Sequence, residues 1–299
     1  MPGGLVLVDK PGGMTSHDVV GRLRRLAHTR RVGHAGTLDP MATGVLLVGV
    51  GQATRLLHHL VLTDKAYTAT IRLGVATVSD DREGEVTATV DATGLDEHRI
   101  RTATTAFVGE IEQVPSAVSA VKVAGERAYA RVRAGEDVDL AARRVTVQRF
   151  DVLAVRHHGP VVDLDVAVEV SSGTYVRALA RDLGAALGVG GHLIALRRTQ
   201  VGPFTADRAV PLAEIPDGDP LTLTLEQAVR ELLPVRVITL EEADQLSYGR
   251  FLPPVGIEDL YAVLLADGTV IGLLREYDNH TVRGGGFFAR PVLIWHARG

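Results

Sequence analysis

Apolar residues in the first fifty positions change their spacing twice, and each spacing predicts a different element. The segment "LVLVDKPGG" (5–13) predicts a short strand that ends in a turn. Helical spacing then predicts a helix from about Asp18 to Ala27, capped by Thr15 or Ser16, with an apolar stripe of Val19, Val20, Leu23 and Leu26. A loop follows. The continuous apolar run "GVLLVGV" (44–50) predicts a strand that is buried on both faces.

Strict alternation of polar and apolar residues predicts a second group of strands. In "KAYTATIRLG" (65–74) one face carries the apolar side chains Tyr67, Ala69, Ile71 and Leu73. Residues 143–158 and 161–170 predict two further strands around a turn at Gly159-Pro160. From residue 171 the spacing becomes helical, with Thr174 as the expected N-cap. In that helix Arg177 and Arg181 lie four residues apart on one side.

The remaining segments complete a mixed pattern of helices and strands. A polar excursion separates two strands near residues 75–86, and 114–135 is an irregular stretch that leads to a short helix. Three further helices are expected, at 52–62, 98–109 and 224–233. Because the elements alternate without a regular βαβ rhythm, we predict an α+β fold with a mixed, largely antiparallel central sheet.

The character of the sequence changes after "LPV" (233–235). Thr239 and Glu242 form a capping box, and several short strands follow it. We therefore predict two domains, a main domain over residues 1–230 and a small β-rich domain over residues 231–299.

Composition restricts the class of protein. A chain of 299 residues that is 46% hydrophobic and 23% charged is typical of a soluble globular protein. No apolar run reaches the ~18 residues of a membrane span, and the N-terminus lacks the pattern of a secretory signal. The chain has no cysteine, which excludes disulfides, thiolate nucleophiles and cysteine metal sites. We expect a cytoplasmic protein that makes no membrane contact.

Positive charge is concentrated near the N-terminus, although the net charge is −4. The stretch "GRLRRLAHTRRVGH" (21–34) contains five arginines and no acid. Arg22, Arg24 and Arg25 lie off the apolar stripe of the predicted helix. This pattern is consistent with phosphate binding and equally with a solvated helix face.

Several common catalytic and binding motifs are absent. The dipeptide Gly-Lys does not occur, which excludes a Walker phosphate loop, and neither G-x-S-x-G nor H-E-x-x-H is present. "GVGQAT" (49–54) lacks the third glycine and the distal acid of a dinucleotide-binding loop. The neighbouring pairs His58-His59 and His157-His158 point apart, so no metal site is predicted.

One acid, Asp39, stands alone in "RVGHAGTLDPMATGVLLVGVG" (31–51). It can cap a one-turn helix that begins at Pro40 and ends at Gly44, a purely structural role. Capping leaves the adjacent His34 and the glycines unexplained, however. Because glycines allow a ligand to come close, a carboxylate aimed into such a gap near five arginines is also a candidate nucleophile.

The segment "GHAGTLDPMATGVLLVGVGQATR" (33–55) resembles the signature of the TruB family of tRNA pseudouridine synthases, which act on uridine 55 of the T-arm. Four further segments resemble motifs of that family: "DKPGGMTSHDVV" (9–20), "KAYTATIRLG" (65–74), "SSGTYVRALARDLG" (171–184) and "LRRTQVGPF" (196–204). Together they cover most of residues 1–205 in the family's order. The tail after residue 234 resembles a PUA-type RNA-binding module only loosely.

The resemblance implies a pseudouridine synthase fold followed by a PUA-like domain. It also implies an isomerase that needs no cofactor, because the reaction neither adds nor removes atoms. In the family the aspartate of the signature is the nucleophile, which corresponds to Asp39. Tyr67 corresponds to the active-site tyrosine. Arg177 corresponds to an arginine that is expected to pair with Asp39 and lower its pKa.

The resemblance further implies RNA contacts. His34 is similar to the histidine that fills the space left by the flipped base. Lys10 belongs to the N-terminal motif, where support of the turn is an equally good interpretation. Further contacts are expected at the base pocket and the phosphates, from Tyr175, Leu196, Arg24 and Arg25. The expected partner is the T stem-loop of tRNA, bound by a monomer without a metal.

Three questions stay open from the sequence. Asp39 can attack C6 of the base or C1′ of the ribose. The same groove could serve a non-catalytic protein that binds or folds RNA. A synthase of this type could also act on another RNA.

Overall fold

The computed structural model describes residues 3–117, 140–278 and 286–295, together with the backbone of two short strands between residues 122 and 127. The short helix expected near the end of residues 114–135 lies outside the described residues.

The described residues form strands β1 (Gly4–Lys10), β2 (Val32–Ala35), β3 (Thr43–Val50), β4 (Lys65–Leu73), β5 (Val75–Thr77), β6 (Val86–Thr89), β7 (Gly109–Gln113), β8 (Lys122–Val123), β9 (Glu126–Arg127), β10 (Arg143–His158), β11 (Val161–Val170), β12 (Gly191–Val201), β13 (Phe204–Thr205), β14 (Val210–Pro211), β15 (Leu223–Thr224), β16 (Val235–Val237), β17 (Tyr261–Leu264), β18 (Val270–Asp278) and β19 (Phe287–Ile294). The helices are α1 (Ser16–Leu26), α2 (Leu57–Val61), α3 (Glu97–Thr105), α4 (Val176–Leu187), α5 (Leu225–Leu232) and α6 (Leu240–Ser247).

One large mixed sheet organises residues 3–224. Its order is β14-β1-β3-β12-β4-β11-β10-β7, with β2, β13 and β15 paired at its sides. Most neighbours are antiparallel, while β12 runs parallel to β3 and β14 runs parallel to β1. The predicted α+β class and the mixed sheet are confirmed. The parallel β3–β12 pair matters most for the site, because it brings two distant motifs side by side.

Local signals placed α1 correctly. Thr15 is the N-cap, and its side chain accepts from the Asp18 backbone while the Asp18 carboxylate accepts from the Thr15 backbone, which makes a capping box. Val19, Val20 and Leu23 are buried against the sheet. The predicted amphipathic helix is confirmed.

Several predicted elements differ from the structure. The loop expected before residue 44 contains strand β2, which pairs with β3 and satisfies the backbone of both. The helix expected at 52–62 is a 3₁₀ turn followed by the short α2. Gly109 has φ +106° and begins β7 after the shorter α3, within what was expected to be helix. Thr174 does not cap α4, because its hydroxyl donates to the Ser171 carbonyl and the N-cap position is Tyr175.

The two halves of the large sheet have different faces. In β1 and β3 nearly every residue is buried, since Val6 and Val8 pack into the core beneath the helices while Leu5 and Leu7 pack into a second core on the opposite side. In β4, β11 and β10 one face carries charged pairs instead, such as Arg72–Asp163 with two N–O distances of 2.8 Å. The continuous apolar runs of the sequence therefore correspond to strands buried on both faces, and the alternating runs correspond to strands with one polar face.

A separate four-stranded sheet, β16-β17-β18-β19, packs on the second core. The Trp295 indole donates to the Gln52 carbonyl at 3.0 Å, and Arg55 donates to the Ile294 carbonyl at 2.6 Å. The predicted capping box of α6 is present. The division of the chain at residue 230 stays a prediction. Within the described residues, no helix is both long and apolar enough to span a membrane.

Candidate active site

A cavity of about 300 Å³ lies where the loop before β3, the strands β4 and β12 and the start of α4 meet. Asp39, Tyr67, Tyr175, Arg177 and Leu196 all line it. These five residues were predicted from four separated segments of the chain. The parallel β3–β12 pair and the antiparallel β4–β12 pair bring those segments together.

The loop that carries Asp39, residues 36–42, is called the Asp39 turn below. Its backbone is held on both sides of the acid. The Ser16 hydroxyl accepts from the Leu38 N–H at 2.9 Å and donates to the Leu38 carbonyl at 3.1 Å. The Pro40 carbonyl accepts from the Gly13 N–H at 2.8 Å and from the Lys10 ammonium at 3.2 Å. These contacts limit where the Asp39 carboxylate can point.

The one-turn helix considered after Asp39 does not form. The Asp39 carbonyl accepts from the Ala42 N–H at 3.1 Å, which closes a single turn, and β3 begins at Thr43. Gly44 is required for another reason. It has φ +97°, and a Cβ there would lie 2.1 Å from the Arg198 carbonyl oxygen of the neighbouring strand. Gly44 therefore serves strand packing and does not end a helix.

Arg177 binds Asp39 in a bidentate manner. Its Nη2 donates to Oδ1 of Asp39 at 3.0 Å, and its Nε lies 3.0 Å from Oδ2. The Arg177 side chain is 5% exposed, whereas the Asp39 side chain is 31% exposed towards the cavity. Two parallel bonds of this kind need both carboxylate oxygens as acceptors, which is the geometry of an ionised acid.

Two opposing effects act on the pKa of Asp39. Burial raises the pKa of the carboxyl above its ordinary value, and the nearby Asp81 adds to that rise. The Arg177 guanidinium and the Lys10 ammonium act in the opposite direction. Arg177 thus lowers the pKa of Asp39, as expected. Burial outweighs this effect, however, and the pKa of Asp39 lies above its ordinary value.

The far side of Arg177 rests on residues 78–85, which we call the acidic loop. Arg177 Nη1 donates to the Ser79 carbonyl at 2.9 Å and lies 3.5 Å from Oδ2 of Asp81. Arg177 is therefore held between Asp39 on one side and the acidic loop on the other. In the sequence this loop is only a polar excursion between two strands, and no pattern distinguishes Ser79, Asp80 or Asp81 within it.

Tyr67 and Leu196 form the apolar part of the cavity. Tyr67 is 8% exposed and Leu196 is 7% exposed. Tyr67 also belongs to the core beneath the helices, so its position is compatible both with an active-site role and with a role in core packing. Tyr175 contributes a further wall at the start of α4, where Gln113 bonds to both its N–H and its carbonyl.

Lys10 does not line the cavity. It is fully buried, and its ammonium donates to the carbonyls of Pro11, Met14 and Pro40 at 2.9, 2.6 and 3.2 Å. All three protons of the ammonium are used in this way. The structure therefore corrects the expected RNA contact in favour of support for the turn.

His34 lies on β2 beside the Asp39 turn and is not among the residues that line the cavity. Its ring stands edge-on to that of His17, with centroids 5.5 Å apart, and its Nδ1 is buried without a hydrogen-bond partner among the described residues. Burial, with the charges of His17 and Arg198, lowers the pKa of His34 to about 4. His34 is therefore neutral near pH 7.

Arg24 and Arg25 are exposed on α1, away from the cavity. Arg24 Nη2 donates to the Val32 carbonyl at 3.3 Å, while both side chains remain accessible. This position is compatible with phosphate contacts outside the pocket, and equally with a solvated face.

Two basic residues of the cavity were missed from the sequence, Lys65 and Arg198. Arg198 is 1% exposed, and its guanidinium donates to the carbonyls of Val45 and Gly36 at 2.7 and 3.0 Å. Burial lowers the pKa of Lys65 to about 8, and its ammonium donates to the carbonyls of Val61 and Thr63. Lys65 and Arg198 both belong to segments that resemble family motifs, residues 65–74 and 196–204. Their closeness in sequence to Tyr67 and Leu196 was the signal that could have identified them as residues of the cavity.

Three family models match the chain in succession. The model described as "TruB family pseudouridylate synthase (N terminal domain)" matches residues 24–176. The model "tRNA pseudouridylate synthase B C-terminal domain" matches residues 177–235, and "tRNA Pseudouridine synthase II, C terminal" matches residues 233–282.

Curated relatives are similar over nearly the whole chain. The tRNA pseudouridine synthase B of Nocardia farcinica is 60% identical over 297 residues, which cover 99% of this chain and 94% of that protein. The tRNA pseudouridine synthase B of Corynebacterium efficiens is 59% identical over 288 residues, which cover 96% of each chain.

Solved structures share the fold. A chain of a Cbf5-Nop10-Gar1 complex is 27% identical with a TM-score of 0.72, covering 99% of this chain and 85% of that one. A chain of an H/ACA RNP bound to a substrate RNA containing 2′-deoxyuridine is 25% identical with a TM-score of 0.70, covering 98% and 85%.

Proposed function

Because the chain belongs to the TruB family of pseudouridylate synthases, we propose that it isomerises a uridine in the T-arm of tRNA, at position 55, to pseudouridine. The single observation that carries this proposal is the cavity in which Asp39 and Arg177 form a bidentate pair beside Tyr67 and Leu196. Curated relatives named for tRNA at about 60% identity favour tRNA over other RNA substrates.

The reaction sets clear demands on the protein. The bond between C1′ and N1 breaks, the base turns, and a bond forms between C5 and C1′. C5 loses a proton and N1 gains one, so the product is an isomer of the substrate. The protein must supply an ionised nucleophile, a partner that orients it, a surface for the base and a group near C5 that accepts a proton.

Asp39 fits the role of nucleophile because it is the exposed member of its ion pair. Its carboxylate faces the cavity, whereas Arg177 is buried behind it. Arg177 stabilises the charged form and restricts the direction of attack. Attack at C6 of the base and attack at C1′ of the ribose both need this arrangement.

The apolar walls fit a single extruded base. Tyr67 and Leu196 line the cavity, and an aromatic face can stack on uracil. The hydroxyl of Tyr67 is the candidate to help remove the C5 proton late in the reaction. A volume of about 300 Å³ is at the small end of ligand pockets, which suits one nucleotide rather than a duplex.

The target base must leave its stack to reach this cavity, at a cost of a few kcal/mol. We assign to the neutral His34 the space that the base leaves, because it lies beside the Asp39 turn and outside the cavity. We assign phosphate contacts to Arg24 and Arg25, which are exposed on α1. Recognition of folded RNA by its shape and backbone agrees with such a distribution.

We further propose that one chain acts as a monomer in the cytoplasm. All the residues assigned above come from a single chain, and none of the roles needs a partner subunit. Sedimentation with and without tRNA measures the oligomeric state. A stable dimer in the absence of RNA would contradict the monomer.

The decisive experiment replaces Asp39 by Asn in the full chain. We expect Asp39→Asn to bind T-arm RNA normally and to form pseudouridine more than about 10³-fold more slowly, because the amide is not a nucleophile. Pseudouridine is measured in single turnovers on a transcribed T stem-loop. The matched control is Asp207→Asn, an exposed acid outside the cavity.

Normal turnover by Asp39→Asn would exclude Asp39 as the nucleophile. If the wild-type protein binds T-arm RNA but forms no pseudouridine, the result would favour the alternative of a non-catalytic protein that binds or folds RNA. A map of pseudouridine in cellular RNA, with and without the protein, tests the substrate. Loss of the modification at a site other than the T-arm would redirect the proposal to another RNA.

A further inference from the structure

Helix α4 presents two arginines to the acidic loop, one helical turn apart. Arg177 contacts Ser79 and Asp81, as described above, and Arg181 lies 3.2 Å from Oδ2 of Asp80. Residues four apart share one side of a helix. Two consecutive aspartates of the loop are thus matched to two arginines of the helix.

Asp80 adopts an unusual backbone conformation that makes this match possible. Its φ is +59°, in the left-handed region that L-residues rarely adopt. In ordinary strand geometry neighbouring side chains point to opposite sides. The left-handed conformation directs both carboxylates to α4, and Asp tolerates it better than most residues.

The left-handed residue is held in place by β12. The Leu193 N–H donates to the Asp80 carbonyl at 3.0 Å, and the Arg82 N–H donates to the Leu193 carbonyl at 2.8 Å. These two backbone bonds enclose Asp80 and Asp81. The loop therefore has a defined position, which its own polar sequence does not suggest.

Arg181 connects three segments by its three nitrogens. Nη1 contacts Asp80, Nη2 donates to the Val114 carbonyl at 2.8 Å, and Nε donates to Asp182 at 2.8 Å. Asp80 is 7% exposed and therefore largely withdrawn from solvent, whereas the Arg181 side chain is 30% exposed.

We propose that Asp80 and Arg181 are positioning residues for the isomerisation: their ion pair holds the acidic loop so that Ser79 and Asp81 anchor Arg177, which in turn aims Asp39. This inference rests on the proposed function. Neither residue lines the cavity, so both act through Arg177. Displacement of a catalytic group by a fraction of an ångström is enough to lower the rate of a chemical step.

The loss of this positioning should change the pH dependence of the rate on its acid limb, the low-pH side on which activity is lost. Four charged groups face Asp39: Arg177 from α4, Asp81 and Glu83 from the acidic loop, and Lys10 from β1. Asp80 itself faces Arg181, Arg177 and Asp182. Arg177 keeps the pKa of Asp39 down, so a poorly held Arg177 lets that pKa rise. Activity is then lost at higher pH than in the wild type.

The test compares Asp80→Asn, Arg181→Gln and the double variant in the full chain, with a T stem-loop as substrate. Asn keeps the size and the left-handed tolerance of Asp80 but removes the charge. We expect kcat to fall about tenfold, KM to change less than about twofold, and the acid limb to move up by about half a pH unit. The double variant should be no slower than the slower single variant, because both substitutions remove one interaction.

Asp163→Asn is the matched control. It removes an equally good bidentate ion pair, with Arg72, from the charged face of the sheet. It should leave kcat and the acid limb unchanged. Asp80→Gly separates positioning from stability, since glycine relieves the left-handed backbone while removing the pair. We expect it to keep the thermal midpoint within a few degrees of the wild type and still lower kcat.

Wild-type kcat and an unchanged acid limb in both Asp80→Asn and Asp80→Gly would overturn the positioning role. Additive losses in the double variant would also overturn it, because the two residues would then act independently. A wild-type protein that forms no pseudouridine gives a different result, the failure of the proposed function itself.

Discussion

The Asp39 turn and the acidic loop each present a carboxylate to Arg177, from opposite sides of its guanidinium. The Asp39 turn is held mainly by residues 10–16, through Ser16, Gly13 and Lys10. The acidic loop has internal bonds, since Asp81 accepts from the Ser79 hydroxyl and from the Glu83 N–H. Its connections to helix α4 and strand β12, however, come from about 100 positions further along the chain, through Arg177, Arg181 and Leu193.

This difference explains why one segment is visible in the sequence and the other is not. The residues that support the Asp39 turn and the turn itself lie in two neighbouring motifs, residues 9–20 and 33–55. The glycines, the prolines and the isolated Asp39 of these motifs are therefore recognisable in the sequence. The supports of the acidic loop are brought by a helix and a strand from elsewhere. The sequence of the acidic loop itself indicates only a polar segment. The position of Arg177 therefore depends both on a segment with a clear motif and on one without.

Among the substitutions that test this comparison, Arg177→Lys should have the largest effect, because it weakens the contacts of Arg177 with the Asp39 turn and with the acidic loop at once. Lysine keeps the charge but cannot make two parallel bonds to Asp39 while also reaching Ser79. We expect kcat to fall about 10²-fold. Because Arg177 opposes the burial that raises the pKa of Asp39, its replacement should move the acid limb of kcat to higher pH. A pH–rate profile from single turnovers measures both quantities.

An unchanged acid limb in Arg177→Lys would show that the charge alone, without the bidentate geometry, sets the pKa of Asp39. The thermal midpoint serves as the folding control.

A smaller effect is expected from Lys10→Met, which weakens only the Asp39 turn. Methionine fills similar space but leaves the carbonyls of Pro11 and Met14 without the Lys10 donor, and it leaves the Pro40 carbonyl with only the Gly13 N–H. We expect about 2–3 kcal/mol less stability and a kcat about tenfold lower, because the turn loses its support. Denaturant unfolding and single-turnover rates measure these changes.

Arg208→Met is the matched control for Lys10→Met, since it removes an exposed pair with Glu231 that contributes at most about 1 kcal/mol. If Lys10→Met loses RNA affinity rather than kcat, then Lys10 contacts the substrate after all.

The smallest effect should come from Gly84→Ala, which disturbs only the acidic loop. A Cβ at Gly84 would lie 2.3 Å from Oγ and 2.7 Å from the backbone nitrogen of Ser79, so the loop must shift. We expect kcat to fall about threefold to fivefold with RNA affinity unchanged. Gly94→Ala is the control, because a Cβ there meets nothing within 4 Å. A wild-type rate in Gly84→Ala would show that the acidic loop tolerates displacement.

The fold illustrates the same limit on prediction. Strands β4, β10 and β11 and helix α1 were predicted closely, because alternation, turns and caps are local signals. Strand β2 was missed because its partner, β3, supplies the reason for it to be extended. Gly44 was assigned to the end of a helix, although its conformation is required by the Arg198 backbone of β12. Neighbours in space, rather than in sequence, decided these cases.

The amino-acid sequence by itself determined the α+β class, most of the strands and helices, and five of the residues that line the cavity, Asp39, Tyr67, Tyr175, Arg177 and Leu196. Their signals are short-range patterns or motifs, which each segment carries on its own. Only the tertiary structure decided that Lys10 supports a turn, that burial outweighs Arg177 at Asp39, and that Asp80 and Asp81 stand behind the site. Burial and long-range ion pairs depend on which segments become neighbours when the sheet forms, and no single segment contains that information.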